Sequence, residues 1–176
     1  RFGAIVHITR PQIAAQAAAF TLLGAYLNAG LPFPRPDIIA TAALVVALVV
    51  AFGFVSNDYV DLEVDRLNRP ERPLPAGRLS RQEALYLAAL LLIAALAVAW
   101  LLPPLLFIIA CGNLALTLAY SLLLKRTVLL GNTAMALLNS SVLLFGGLTT
   151  GPVAPLVWAV AGMSFVYTLG QEVLYT

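Results

Sequence analysis

Long apolar runs separated by short polar breaks dominate this chain, and the pattern predicts helices that cross a membrane. No Lys, Arg, Asp or Glu occurs between Arg10 and Arg35, within 84–124, or within 127–171. A helix needs about 20 mostly apolar residues to cross the hydrocarbon core of a bilayer. The first run therefore has room for one crossing and each of the other two for a pair.

Helix-start and helix-stop residues divide these runs into six predicted spans. Pro103-Pro104 and the Thr-Thr-Gly-Pro segment at 149–152 split the two longest runs. Asp37 is predicted to cap span two, and Ser80 with Glu83 matches a capping box before span three. The predicted spans cover about residues 12–30, 38–57, 82–102, 105–123, 128–148 and 153–174.

Composition supports lipid as the solvent for this fold. Of the 176 residues, 61% are hydrophobic and 10% are charged, against about 45–50% and about 25% in soluble domains. We expect an all-α, polytopic transmembrane helical bundle, with residues 1–176 as a single domain. Because Arg1 stands where Met would begin a protein and the last segment is apolar, we also expect a longer polypeptide.

Rare residue types exclude several kinds of site. Cys111 is the only cysteine and His7 the only histidine, so an internal disulfide, a cysteine metal site and a histidine cluster are excluded. The net charge of +2 gives no reason to expect a nucleic-acid partner. Nine of the ten Lys and Arg residues fall on alternate loops of one side, and Arg35 lies on the other. By the positive-inside rule that side is predicted to face the cytoplasm.

The polar segment 57–73, here called the acidic island, is the strongest candidate for chemistry. Four carboxylates fall within eight positions: Asp58, Asp61, Glu63 and Asp65. If span two stays helical through residue 65, the three aspartates share one face and Glu63 points to water. Anions at a helix C-terminus beside lipid are unfavourable. Such a breach of local rules indicates a functional site.

Oxygen donors without His or Cys favour a hard cation, above all Mg²⁺. We predict Asn57, Asp58, Asp61 and Asp65 as its ligands. Mg²⁺ commonly bridges one or two carboxylates to substrate phosphates, and nearby arginines and Lys125-Arg126 supply charge for a diphosphate. The alternative without a functional role is an acidic loop that pairs with its own arginines on a solvated surface.

The order of residues in the island resembles the first aspartate-rich motif of the UbiA-type intramembrane prenyltransferases. The matching pattern is Asn57-Asp58-x-x-Asp61-x-x-x-Asp65 followed by Arg69-Pro70-x-Arg72-Pro73-Leu74-Pro75-x-Gly77. Further matches cover nearly the whole chain at lower detail: Arg10-Pro11, Tyr120-Ser121, Lys125-Arg126 and Gly131-Asn132.

The resemblance implies an enzyme that transfers an isoprenyl group within the membrane. In that family two aspartate motifs face each other across a cavity, and each binds Mg²⁺ to hold the diphosphate of an allylic donor. The carbocation left by ionisation is then attacked by a hydrophobic acceptor. Carried onto this chain, the roles are catalysis by Asp58, Asp61 and Tyr120, metal binding by Asn57, Asp58, Asp61 and Asp65, and diphosphate binding by Arg10, Asn68, Arg72, Lys125 and Arg126.

The chain departs from the family pattern near its end. The family has about nine spans, with a second aspartate motif after the sixth. That motif is absent from this sequence, Glu172 matches a glutamate that often precedes it, and Gln171 stands where many members have Arg. By itself the chain is therefore expected to hold half a site and to be inactive.

The identity of the acceptor is a further expectation. The run from Asp65 to Gly77 is most similar to members that prenylate a glycerol hydroxyl of archaeal ether lipids. Members that act on 4-hydroxybenzoate, quinone or chlorophyll precursors share much of it, so an aromatic acceptor stays an alternative.

Two readings outside this family compete. A cation carrier would keep its charges near the middle of the membrane and need no basic partners, whereas five arginines accompany the island here. An Mg²⁺-dependent phosphoalcohol transferase would carry an Asp-Gly pair and an Ala-Arg pair in its motif, and both are missing.

Overall fold

The structure, a computed structural model, describes residues 1–174, and in that part the only regular elements are helices, with no strand. Short loops connect eight α-helices, and a 3₁₀ turn at Leu124–Arg126 precedes the seventh. The helices are α1 (Phe2–Thr9), α2 (Pro11–Ala29), α3 (Pro36–Val60), α4 (Leu62–Asn68), α5 (Arg81–Ala99), α6 (Pro104–Leu122), α7 (Val128–Leu148) and α8 (Pro155–Leu174).

The six long helices lie where the six spans were predicted, within a few residues at each end. Within the described residues, four of them are long and apolar enough to cross a membrane by length and composition: Pro36–Val60, Arg81–Ala99, Pro104–Leu122 and Leu129–Leu148. The prediction of an all-α membrane bundle is confirmed. All six predicted spans are helices, but only four of them, among the described residues, meet the criterion for a membrane span.

Helix α3 is the centre of the bundle, with α2, α5, α6 and α7 packed around it. Its buried side chains include Ile39, Val45, Phe52 and Val55. The outer helices expose large apolar side chains, among them Leu90 and Ile93 on α5. An apolar exterior around an apolar core is expected where lipid is the solvent.

Glycines bring α2 and α7 into backbone contact. A β-carbon on Gly24 would collide with the carbonyl of Leu143, and one on Gly146 would collide with the carbonyl of Thr21. Small residues at such crossings let membrane helices approach closely. Gly162 of α8 differs, because no other described residue lies within 4 Å of a β-carbon built there.

A single side chain fastens the far end of α2 to the loop between α7 and α8. Asn28 Nδ2 donates to Thr150 Oγ1 at 2.8 Å, and Asn28 Oδ1 accepts from the amide of Ala154 at 2.7 Å. Nδ2 also lies 3.2 Å from the carbonyls of Gly147 and Pro152. Both polar atoms of the Asn28 side chain are therefore hydrogen-bonded to residues that are far away in sequence.

Several local predictions are tested at helix ends. The capping box is confirmed, since Glu83 N donates to Ser80 Oγ and Ser80 N donates to Glu83 Oε2. The cap at Asp37 is wrong, because α3 already begins at Pro36 and Asp37 lies in its first turn, paired with Arg35. The shared face of the three aspartates requires a helix through residue 65, whereas Asp61 separates α3 from α4.

Candidate active site

A cavity of about 580 Å³ opens between α2, α3, α6 and α7. One end of it is polar and is lined by Arg10, Asn57, Arg69 and Arg72. The body is mostly apolar, with walls from Ile13, Ala17, Val45, Val46, Val49, Val50, Phe54, Ala110, Met135, Leu138, Val142 and Phe145. A charged mouth above an apolar chamber suits a ligand with an anionic head and a hydrocarbon tail.

Arg10 reaches the mouth from the joint between α1 and α2. Its backbone has φ 46° and ψ 60°, in the left-handed region that residues with a side chain seldom adopt. Its Nη2 lies 3.2 Å from Asp58 Oδ1, and its guanidinium carbon lies 4.4 Å from the ring centroid of Phe54. Burial lowers the pKa of Arg10 from its ordinary value, and the Asp58 carboxylate opposes that shift. Strained backbone of this kind is common at functional sites.

The loop after α4 places Arg72. Pro73 and Leu74 are buried against the bundle, and Gly77 takes the positive φ of 67° that turns the chain back toward α5. Arg72 Nη1 lies 3.2 Å from Asp58 Oδ1 and 2.6 Å from Asp65 Oδ2. One guanidinium nitrogen therefore joins two aspartates of the island.

Lys125 binds the remaining aspartate from the 3₁₀ turn after α6. Its Nζ forms an ion pair with Asp61 and lies 3.2 Å from Asn57 Oδ1. The side chain of Lys125 is 14% exposed. The contact joins α3 to the turn before α7, so the island is held from both sides of the cavity.

The predicted alignment of three aspartates is realised in part. Asp58 and Asp65 converge on Arg72, whereas Asp61 lies in the break between α3 and α4 and turns to Lys125. Glu63 points away and pairs with Arg66 on the exposed surface, as predicted. No group of three or more His, Cys, Asp or Glu side chains in the part of the chain described lies close enough to hold a metal ion.

The alternative of a solvated acidic loop does not describe these pairs. The side chains of Asp58 and Asp65 are 4% and 8% exposed. Burying a carboxylate is costly unless a charge and hydrogen bonds compensate it. Asp58 and Asp65, with Arg10 and Arg72, therefore form a buried network of ion pairs at the mouth of a cavity.

The other predicted site residues divide into two groups. Tyr120 lines the cavity and is half-buried. Asn68, at the end of α4, and Arg126, on the 3₁₀ turn, are exposed and line neither this cavity nor the one described next. Neither residue therefore lies at the mouth of the cavity, and their contacts with a diphosphate stay predictions.

A smaller polar hollow of about 320 Å³ adjoins the mouth. It shares Arg10, Arg69 and Arg72 with the large cavity and adds His7, Asp58, Glu71 and Pro73. The arginines thus form a wall between the two spaces. Asp58 faces the polar hollow, whereas its neighbour Asn57 faces the apolar cavity.

Sequence reasoning missed polar residues deep in the cavity and one aromatic at its mouth. Ser141 Oγ donates to Asn113 Oδ1 at 2.8 Å, which joins α6 to α7 inside the apolar chamber, and Asn139 lies nearby in the same wall. Polar side chains within membrane helices are costly and mark functional positions. The occurrence of Asn113, Asn139 and Ser141 within apolar runs could therefore have identified them as candidates. No sequence signal identified Phe54, because its contact with the guanidinium of Arg10 joins two residues that are far apart in sequence.

Comparison with known proteins gives a consistent result. The model of the UbiA prenyltransferase family matches residues 17–175. A digeranylgeranylglyceryl phosphate synthase of Methanoculleus marisnigri is 40% identical over 174 residues, which is 98% of this chain and 61% of that protein. One of the same name from Thermococcus gammatolerans is 35% identical over 97% of this chain and 61% of its own length.

A solved structure described as giving insight into digeranylgeranylglyceryl phosphate synthase in membranes has the same fold. Its TM-score is 0.88 at 29% sequence identity, over 97% of this chain and 61% of that one. The chain thus spans about three fifths of the length of these relatives. The match of the family model over most of the sequence, with the motif of the island in place, shows that this chain belongs to the UbiA prenyltransferase family.

Proposed function

We propose that the full-length protein transfers an isoprenyl group from an allylic diphosphate to the free hydroxyl of a glycerol-phosphate ether lipid within the membrane. The single observation that carries this is the charged mouth, with Arg10, Arg72 and the acidic island, above an apolar cavity of about 580 Å³. The names of the relatives favour this lipid acceptor.

The residues of the island fit Mg²⁺ in their donor chemistry. Asn57, Asp58, Asp61 and Asp65 offer hard oxygens within little more than two helical turns. The absence of a cluster of three carboxylates among residues 1–174 is compatible with this ion, since Mg²⁺ usually takes one or two carboxylates and completes its shell with phosphate and water. When bound, Mg²⁺ supplies positive charge to the diphosphate oxygens that gain electrons as the donor ionises.

We infer that basic residues of this chain bind the diphosphate of the donor. Arg72 and Lys125 neutralise the aspartates in this structure, and they would be free to bind phosphate oxygens if the carboxylates held the metal. Arg10 contributes from the other side of the mouth.

The apolar cavity receives the isoprenoid tail and keeps water from the reacting carbon. The allylic C–O bond breaks and its electron pair stays on the diphosphate. The hydroxyl oxygen of the acceptor forms the new C–O bond, and its proton passes to a diphosphate oxygen. The rings of Phe54 and Tyr120 line the cavity and can stabilise the cation through their π faces.

An assay of Mg²⁺-dependent prenyl transfer in membranes that hold the full-length protein tests the proposal. Geranylgeranyl diphosphate is supplied with either a geranylgeranylglyceryl phosphate or 4-hydroxybenzoate, and the lipid should be the acceptor consumed. Asp58→Ala and Asp61→Ala should abolish transfer, while Glu63→Ala, an exposed carboxylate of the same segment, should keep it. Unchanged transfer in both aspartate variants would overturn the proposal, and use of the aromatic acceptor alone would overturn its acceptor.

A further inference from the structure

Ser121 is a buried hydroxyl in the wall of the large cavity. It lies in the last turn of α6 and is 1% exposed. Its Oγ is the one buried side-chain N or O atom among the described residues that has no hydrogen-bond partner. A buried polar atom without a partner costs stability, so its presence in a membrane helix calls for a physical reason.

Other buried hydroxyls of the bundle are bonded in the usual way. Those of Thr21, Ser56 and Thr117 each donate to the carbonyl four residues earlier, the usual outlet for a hydroxyl within a helix. Ser140 donates to the carbonyl of Leu137. The hydroxyl of Ser121 has the same opportunity in the same kind of helix and does not use it.

The position of Ser121 indicates which ligand it serves. It lies four residues before Lys125, which pairs with Asn57 and Asp61 at the charged end of the cavity. One turn deeper on the same helix, Thr117 lies against Gly53 of α3, and both residues line the cavity. Along the chain, Ser121 therefore lies between Thr117, in the wall of the cavity, and Lys125, at its charged end.

We propose that Ser121 binds the donor substrate by donating its hydroxyl proton to an oxygen of the allylic diphosphate, an assignment that rests on the proposed function. Hydrogen bonds to charged oxygens are about twice as strong as those between neutral groups. The Ser121 hydroxyl has no hydrogen-bond partner within the described protein, so it can form such a bond without first breaking another. Binding the anion thus removes a cost that the ligand-free protein bears.

The proposal predicts effects of opposite sign from one substitution. In Ser121→Ala the ligand-free protein loses an unpaired polar atom, so its Tm should be unchanged or higher. Affinity for geranylgeranyl diphosphate should fall by about tenfold, which is about 1.4 kcal/mol. Affinity for geranylgeraniol, which has the same tail without the diphosphate, should be unchanged. A residue with a merely structural role would lower the Tm and move both affinities together.

The experiment measures ligand-free Tm and both affinities on the full-length protein with Mg²⁺, with Ser140→Ala as the matched control. Ser140 is also buried, at 7% exposed, is already bonded and lies outside the cavity lining, so its variant should lose Tm and keep both affinities. Unchanged affinity for the diphosphate in Ser121→Ala, or an equal loss for the alcohol, would overturn the role of Ser121 alone. If the wild-type protein binds no geranylgeranyl diphosphate, the proposed function fails as well.

Discussion

Nη1 of Arg72 lies 2.6 Å from Oδ2 of Asp65, which ties the loop after α4 back onto that helix. The same nitrogen lies 3.2 Å from Asp58 Oδ1, so one arginine compensates two buried carboxylates. Removing one partner from a buried ion pair leaves an uncompensated charge, which is far more costly than never having the pair.

Arg72→Met should therefore destabilise the protein by about 3 kcal/mol, because Asp58 and Asp65 would both lose their shared partner. Thermal unfolding in detergent measures this loss. Arg66→Met is the control, since Arg66 pairs with Glu63 on the exposed surface and should change stability by less than about 1 kcal/mol. Equal loss in the two variants would contradict the buried network.

Lys125 and Arg126 are neighbours with different surroundings, which makes them a matched pair for diphosphate binding. Lys125 contacts Asp61 and Asn57, whereas Arg126 is exposed. Lys125→Met should weaken the binding of inorganic pyrophosphate with Mg²⁺ by about tenfold or more, about 1.4 kcal/mol. Arg126→Met should change it by less than about threefold, under 1 kcal/mol.

Titration calorimetry on the full-length protein measures both affinities. If Arg126→Met weakens binding as much as Lys125→Met does, then Arg126 enters the site when the ligand is bound. That outcome would support the sequence-based role of Arg126 and contradict its exclusion from the mouth.

The α2–α7 crossing should not tolerate a methyl group. Gly24→Ala and Gly146→Ala place a β-carbon against backbone carbonyls that cannot move aside independently of their helices. Each should cost about 2 kcal/mol or more, as overpacking does. Gly162→Ala, in open space on α8, should be neutral or stabilising by up to about 1 kcal/mol, because alanine favours helix. Thermal unfolding of the three variants gives the comparison, and a stable Gly24→Ala would contradict the close crossing.

The sequence predicted the positions of the long helices because apolar runs bounded by proline and charge are strong signals for membrane spans. It missed α1, since eight residues are too few for that criterion. It also missed the break at Asp61, which no proline or glycine marks. Local pattern therefore determined the long elements, and departures from regularity required the packed structure.

The site was predictable in residue type more than in pairing. The spacing of the island identified Asp58, Asp61 and Asp65, but Arg10, which pairs with Asp58, and Lys125, which pairs with Asp61, lie 48 and 64 residues away. Such contacts depend on how the helices pack, and periodicity along one helix carries no information about them. The unpaired hydroxyl of Ser121 is likewise visible only when all its neighbours are placed.

The most direct test of the central claim is the Mg²⁺ dependence of pyrophosphate binding by the full-length protein, measured for the wild type, Asp61→Asn and Glu63→Gln. These two carboxylates are two residues apart, and only Asp61 belongs to the network at the mouth. We predict that Mg²⁺ raises the affinity for pyrophosphate by the same factor in the wild type and in Glu63→Gln. In Asp61→Asn this factor should be at least about tenfold smaller, which is about 1.4 kcal/mol. The same Mg²⁺ dependence in all three proteins would contradict a metal and diphosphate site built on the acidic island.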